Sequence, residues 1–339
     1  MLTVGVDVGG TNVRASVVDA TGAVLDTVRT PTPGEDAALE DAIALVTKEL
    51  ADRHPVAAVG LAVAGFVAAD RHRVMFAPHL SWRQAPVVER MRRRLGLPVV
   101  LEHDANAAAV AEYRFGAARG AAYAVLIAIG TGIGGALLID GEVYRGAYGV
   151  APELGHLRLV PDGRQCPCGK RGCWERYCSG TALAATAVEL MASAPWRTTL
   201  LHGYAAGDPH QITGRTVAAA ARDGDQLAIR AMADLARWLG EGLAVVADVY
   251  DPELMVIGGG VSESAPLFLD EAREHYAAVI TGAGHRPLAR IRTAQLGGDV
   301  ASMVGAAALA RDLVAGRPGS GPGGRPRGRP GGRTGGRQG

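Results

Sequence analysis

The stretch Thr-Val-Gly-Val-Asp-Val-Gly-Gly-Thr-Asn-Val-Arg-Ala-Ser-Val-Val-Asp, residues 3–19, decides the fold because it returns in altered form at residues 124–141. There the chain reads Ala-Val-Leu-Ile-Ala-Ile-Gly-Thr-Gly-Ile-Gly-Gly-Ala-Leu-Leu-Ile-Asp-Gly. In both copies an apolar run ends in glycines and a threonine, and a second apolar run follows as far as an Asp-containing turn. Runs rich in Val and Ile, divided by Gly-Gly-Thr or Gly-Thr-Gly, predict two strands joined by a tight turn. The internal repeat then predicts two related α/β lobes.

Working outward, the pattern predicts strands at 3–8, 13–19, 56–63 and 98–102, and helices at 36–53, 86–95 and 105–115. The second half repeats the scheme with strands at 124–129 and 135–139, a glycine turn at 130–134 and an apolar strand at 254–257. We divide the chain into a first lobe at 1–115, a second at 116–314 whose last helix packs back on the first, and a tail at 315–339. From Gly316 onward the composition is Gly, Pro and Arg without an acidic residue, which predicts disorder. Six arginines lie there, and removing them from the formal net charge of +1 leaves the rest of the chain at −5. Such a tail is a solvated extension or makes weak, salt-dependent contacts to nucleic acid.

At 339 residues and 48% hydrophobic composition the chain can bury a substantial core, and with 5% aromatics it must do so with Ala, Val and Leu. No signal peptide and no apolar run of membrane-spanning length is present, so a cytoplasmic protein with no membrane partner is expected.

The glycine turns carry the first chemistry. Glycines between hairpin strands let backbone amides approach an anion, and such nests bind phosphate. The candidates are Gly9, Gly10, Thr11 and Asn12 in the first turn, and Gly130, Thr131, Gly132 and Gly134 in the second. Asp7, at a strand end beside them, suits a hydrated Mg2+. A third cluster, Gly258, Gly259 and Gly260, follows the strand at 254–257 and suits the ribose or base of a nucleotide. A dinucleotide site is rejected, because the loops join strand to strand and no ribose-binding acid follows.

The second chemistry lies in Cys166, Cys168 and Cys173, ten residues after His156. Three thiolates and an imidazole form a tetrahedral set suited to a structural Zn2+. A Cys166–Cys168 disulfide would be badly strained. A redox pair, or an all-cysteine site that uses Cys178 in place of His156, are the alternatives. Glu153 and Glu175 bracket this knot and, with His156, form a candidate polyol pocket. One ring nitrogen of His156 would face the metal and the other a sugar hydroxyl. Asp104, where the strand at 98–102 meets the helix, is either an N-cap or the carboxylate that takes a proton from an attacking hydroxyl.

These motifs together resemble the ROK family (repressors, open reading frames and sugar kinases), most closely its actinobacterial, zinc-containing glucokinases. The resemblance spans residues 2–313 and rests on six motifs in order: Asp-Val-Gly-Gly-Thr at 7–11, Asp-Ala-Asn-Ala-Ala at 104–108, Gly-Thr-Gly-Ile-Gly-Gly at 130–135, Glu-Leu-Gly-His at 153–156, Cys-Pro-Cys-Gly-Lys-Arg-Gly-Cys-Trp-Glu at 166–175 and Ile-Gly-Gly-Gly-Val-Ser at 257–262. It implies a duplicated actin-like ATPase (ribonuclease H-like) fold, a cleft that closes on sugar, and ATP-dependent phosphorylation of the glucose 6-hydroxyl. It also implies a homodimer or homotetramer. By matched position it makes Asp104 the general base and Gly65, Glu153, His156 and Glu175 the sugar ligands. His156 and the three cysteines become zinc ligands, and Thr11, Thr131, Gly132 and Gly259 fall on the nucleotide side.

Three positions depart from the family pattern. His103 and His79 stand where Asn is usual, and Pro152 where Gly or Ala is common. His103 cannot both donate and accept as an amide does, so mannose, fructose, N-acetylmannosamine or N-acetylglucosamine are alternative substrates. A sugar-responsive regulator is the competing class. It is disfavoured because only six residues precede Asp7, too few for a helix-turn-helix domain, so no sequence-specific DNA binding is expected.

Overall fold

The computed structural model of the protein describes residues 1–195 and 198–317. The Arg/Gly/Pro tail lies, from residue 318 on, outside the described residues.

The first repeat forms a hairpin, β1 (Leu2–Val8) against β2 (Asn12–Val18), extended by β3 (Val24–Pro31). Helix α1 (Asp36–Arg53) leads to β4 (Val56–Val63), which pairs parallel to β1. A small antiparallel sheet follows, made of β5 (Phe66–Val67), β6 (Val74–Phe76) and β7 (Arg83–Ala85). Then come α2 (Val87–Leu95), β8 (Val99–His103), parallel to β4, and α3 (Asp104–Phe115). The second repeat forms β9 (Tyr123–Ile129) against β10 (Ile133–Ile139) and β11 (Glu142–Tyr144). After the cysteine knot the chain is helical through α4 (Gly180–Ser193), α5 (Leu201–Ala205), α6 (Gly214–Arg222) and α7 (Gln226–Tyr250). It closes with β12 (Leu254–Gly258), α8 (Leu269–Val279), β13 (Arg290–Thr293) and α9 (Gly298–Val314).

The two main sheets have the same plan. Their strand orders are β3-β2-β1-β4-β8 and β11-β10-β9-β12-β13, an antiparallel meander continued by two parallel strands in each. Residues 11–20 and 131–140 even alternate between exposed and buried in the same order, residue for residue. The expected duplication is therefore present in topology as well as in sequence.

Two expected boundaries move. The strand expected at 98–102 and the helix expected at 105–115 meet without a linker, because His103 keeps extended backbone and Asp104 takes the first helical position. The turn expected at 130–134 is shorter, since Ile133 and Gly134 already pair with Ile129 and Ala128. Gly134 and Gly135 are thus strand glycines, and their role is close packing: a Cβ at Gly135 would lie 2.5 Å from the Leu154 side chain. The small sheet at 66–85 had no signal in the sequence, its strands being two or three residues long.

Helices α3 and α9 lie between the sheets. Buried residues of the first sheet (Ala58, Val100), of α3 (Ala109, Val110), of α9 (Ala308, Leu309) and of the second sheet (Leu126, Val256) form one cluster. Small residues make this possible. A Cβ at Gly5 would fall 1.8 Å from the Met303 carbonyl oxygen, one at Gly60 1.9 Å from that of Ala306, and one at Gly305 1.7 Å from that of Ala107. Thr3 Oγ1 donates to the Ala307 carbonyl at 2.8 Å across the same contact. Gly60→Ala forces the helix off the sheet and should destabilise the protein by about 1–3 kcal/mol, read as a lower urea midpoint. An unchanged midpoint would show that α9 does not rest on β4 in solution.

Candidate active site

Asp104 sits at the junction of β8 and α3, about one-third exposed. It is not the N-cap. That position belongs to His103, whose side chain makes no capping bond, while Asp104 Oδ1 accepts from its neighbour Ala105 N at 2.7 Å. His103 Nε2 lies 3.1 Å from the same Oδ1, so the imidazole that stands in the usual Asn position is engaged with the candidate base.

Beneath this turn is a buried charge cluster. Glu102, fully buried on β8, accepts from Arg145 Nε at 2.9 Å and Nη2 at 2.6 Å, from Asn106 Nδ2 at 2.9 Å and from the His103 backbone N–H at 3.0 Å. Arg71 Nη1 lies 3.8 Å from it. Burial pushes the Glu102 carboxyl up, but the charge and hydrogen bonds of Arg145, with Arg71 and Asn106, outweigh this and hold it below the ordinary carboxylate range. Arg145 follows β11 and its carbonyl accepts from Ala151 N at 3.1 Å, so the cluster ties the Asp104 turn to the segment that carries Glu153.

A cleft opens between these parts, lined by Gly65, Phe66, His103, Asn106, Pro152 and Glu153. Gly65 follows β4, where a Cβ would lie 2.8 Å from Ala77 Cβ and from the Phe76 carbonyl oxygen. Burial raises the Glu153 carboxyl above its ordinary value; His103 and His156 oppose this, while Asp104 and Glu175 add to it. The pocket residues expected from the sequence therefore act on one another electrostatically.

The cysteine knot is built as a metal site. The donor atoms of His156, Cys166, Cys168 and Cys173 all lie within 4.8 Å of one another. Cys168 and Cys173 Sγ are 3.6 Å apart, and Cys166 Sγ is 3.7 Å from His156 Nδ1. Tetrahedral zinc with bonds of roughly 2.3 Å to sulfur sets its donors roughly 3.7 Å apart, so the residues fit the ion. Nδ1 would face the metal, and Nε2 is turned to Glu153 Oε2 at 4.0 Å. All four cysteines are free thiols, and Cys178 is packed in the apolar core, outside the four-donor cluster. Trp174 anchors the knot: it is fully buried and its Nε1 donates to the Trp238 carbonyl at 2.8 Å. The partner helix accepts it only at a glycine, since a Cβ at Gly242 would lie 1.9 Å from the indole.

Glu175 links knot and loop. Its Oε1 accepts from Cys166 Sγ at 3.2 Å, and its Oε2 lies 3.5 Å from Ile133 N. A Cβ at Gly132 would meet Oε2 at 2.5 Å, and one at Gly134 would meet Ala105 Cβ at 3.3 Å. Gly130 accepts from Gly180 N at 2.8 Å, and Gly259, with φ of +78°, would bring a Cβ within 2.5 Å of the Ile129 carbonyl oxygen. The second and third glycine loops are thus joined to each other and to the knot, with Thr131 exposed and Gly258 buried.

In the first loop Gly9 N donates to Asn12 O at 3.1 Å, and Thr32 Oγ1 to Gly9 O at 2.6 Å, leaving Gly10 and Thr11 exposed. Asp7 Oδ1 accepts from Ser302 Oγ of α9 at 3.1 Å. His79 lies against this loop, its Cβ 2.7 Å from where a Cβ of Gly10 would be. Arg83 holds the His79 segment by donating to the Ala77, Leu80 and Trp82 carbonyls at 2.7–2.8 Å.

Ser302, Glu102, Arg145 and Asn106 were not among the sequence candidates. Asn106 stands inside the Asp-Ala-Asn motif and Glu102 just ahead of it, next to a local signal; Arg145 and Ser302 come from distant segments without one.

The ROK family profile matches residues 3–313. A glucokinase of Streptomyces coelicolor is 45% identical over 311 residues, covering 92% of this chain and 98% of the relative. A crystal structure of a ROK family glucokinase from Streptomyces griseus, in complex with glucose and AMPPNP, superposes with a TM-score of 0.84 at 44% identity over 92% of this chain and all of that one. ROK hexokinase from Thermus thermophilus follows with a TM-score of 0.75 at 33% identity, over 93% of this chain and all of that one. With the doubled sheet order, these matches give the fold as the actin-like ATPase fold of ROK sugar kinases, and the chain belongs to the ROK family.

Proposed function

We propose that this protein transfers the γ-phosphoryl group of ATP to the 6-hydroxyl of glucose. The observation that carries the reading is that Gly65, His103 and Glu153 line one cleft, with His103 Nε2 3.1 Å from Asp104, in a chain 44–45% identical to glucokinases over nearly its whole length. Asp104 is the general base. Its Oδ2 takes the hydroxyl proton as the sugar oxygen attacks the γ-phosphorus and the bond to the ADP oxygen breaks. Glu153, His156 and Glu175 accept or donate to sugar hydroxyls, and Gly65 lets the sugar approach the backbone. Gly9, Gly10, Thr11 and Asn12, with Gly130, Thr131, Gly132 and Gly134, form the phosphate side, while Gly258 and Gly259 receive the nucleoside. Asp7, steadied by Ser302, would hold a water of the Mg2+ that accompanies ATP and screens its phosphates.

Two lobes, 1–115 and 116–314, would close over both substrates, with α3 and α9 at their junction. Zinc in the knot would be structural, fixing His156 and Glu175 while Glu153 extends beside them. A cytoplasmic location agrees with the finding that no helix among the described residues is long and apolar enough to cross a membrane. A homodimer or homotetramer is proposed on the resemblance, and light scattering reads it.

Assays of purified protein over glucose, mannose, fructose and N-acetylhexosamines, with ATP and polyphosphate as donors, test the reading. Glucose with ATP should give the highest kcat/KM. No turnover of any sugar removes the kinase reading, and preference for an N-acetylated sugar removes glucose. Asp104→Asn should keep glucose binding, measured by calorimetry, and lose about 10^2-fold or more in kcat; near-normal kcat would remove Asp104 as base. Cys166→Ala should lose the bound zinc in elemental analysis together with glucose affinity, because the donors that orient His156 and Glu175 are gone. A zinc-free variant of normal affinity would break that link.

A further inference from the structure

Asn106 is 2% exposed, one turn into α3, and lines the cleft with Gly65, His103 and Glu153. Its amide has only one orientation. Glu102, held ionised by Arg145, can only accept, so the group 2.9 Å from its Oε1 must be the Asn106 NH2. The carbonyl Oδ1 is then directed away from Glu102, and it is buried without a hydrogen-bond partner. A buried acceptor left unpaired is costly, and the matching donor has to come from what enters the cleft. The residue one turn earlier does not fill that role, since His103 Nε2 is taken up by Asp104.

We propose that Asn106 is a specificity-determining residue whose Oδ1 accepts a hydrogen bond from one ring hydroxyl of the sugar. Glu102 and Arg145 are its positioning residues: by fixing the NH2 side they commit the amide to acceptance at the cleft. The proposal rests on the sugar-kinase reading above and adds a contact to it. A site that offers only an acceptor rejects a sugar lacking the donor hydroxyl, because the amide oxygen then stays unpaired.

The test is a cycle between protein and substrate. kcat/KM is measured for glucose and for each monodeoxyglucose that keeps the reacting 6-hydroxyl, with wild-type enzyme and with Asn106→Ala and Asn106→Ser. At one hydroxyl position the wild type should lose about tenfold on deoxygenation, and Asn106→Ala should lose that discrimination while keeping it at the other positions. A uniform fall for every sugar would mean that Asn106 only supports the fold or binds a resident water, and would overturn the assignment. Should neither variant fold, deoxyfluoroglucoses with the wild-type enzyme keep the proposal falsifiable. Fluorine accepts but does not donate, so at the hydroxyl facing Oδ1 the fluoro sugar should be as poor as the deoxy sugar; full recovery by fluorine at every position would overturn the proposal. Wild-type protein that turns over no glucose fails the sugar-kinase reading itself, whereas wild-type turnover with uncoupled losses fails the Asn106 assignment alone.

Discussion

Close backbone contact between α9 and the first sheet is the constraint on which the rest of this structure depends. Gly5, Gly60 and Gly305 leave room for carbonyl groups of the facing elements, and alanines fill the remaining layer. A helix from the end of the chain is thereby seated on the first strands. Two consequences reach the active site. Ser302 of α9 comes under Asp7, and α3, wedged between α9 and the second sheet, carries Asp104 in its first turn beside His103, which lines the cleft. Small residues outside the cleft thus help to place both acidic groups.

The site is held by polar structure as well as by packing. Burying Glu102 with Arg145 and Arg71 costs desolvation, which their mutual attraction largely offsets, so the net gain in stability is small. What the cluster supplies is geometry. It joins the backbone of His103 and the amide of Asn106 to the segment leading to Glu153, through Arg145, 43 positions along the chain from Glu102. The knot is fixed in the same way. Trp174 roots it in the second core, and Glu175 carries its position to the second glycine loop.

Much of this was legible in the sequence because the signals were local. Strand, glycine turn and strand appear twice with the same grammar, and the sheet order follows. Three thiols and a histidine within eighteen residues announced a metal site, and the four donor atoms do gather. The failures have physical causes too. Gly134 read as a turn residue because glycine breaks strands in general, but it pairs with Ala128 in the ladder and faces Ala105 closely. Asp104 read as a cap or a base, and only the backbone of His103 decides against the cap. The strands of the small sheet are too short for any periodicity, although that sheet carries the segment with His79.

The sequence by itself determined the doubled α/β plan, the three glycine loops and the family, since each is written in contiguous residues, while the choice of His156 over Cys178 in the knot needed the folded chain. Only the tertiary structure decided what those parts do to one another. Ser302 meets Asp7 across 295 positions of chain, and Arg145 meets Glu102 across 43. The free face of Asn106 exists because Glu102 occupies the other one. Contacts of that kind depend on packing distance between elements remote in sequence, and no local pattern of residue types encodes them.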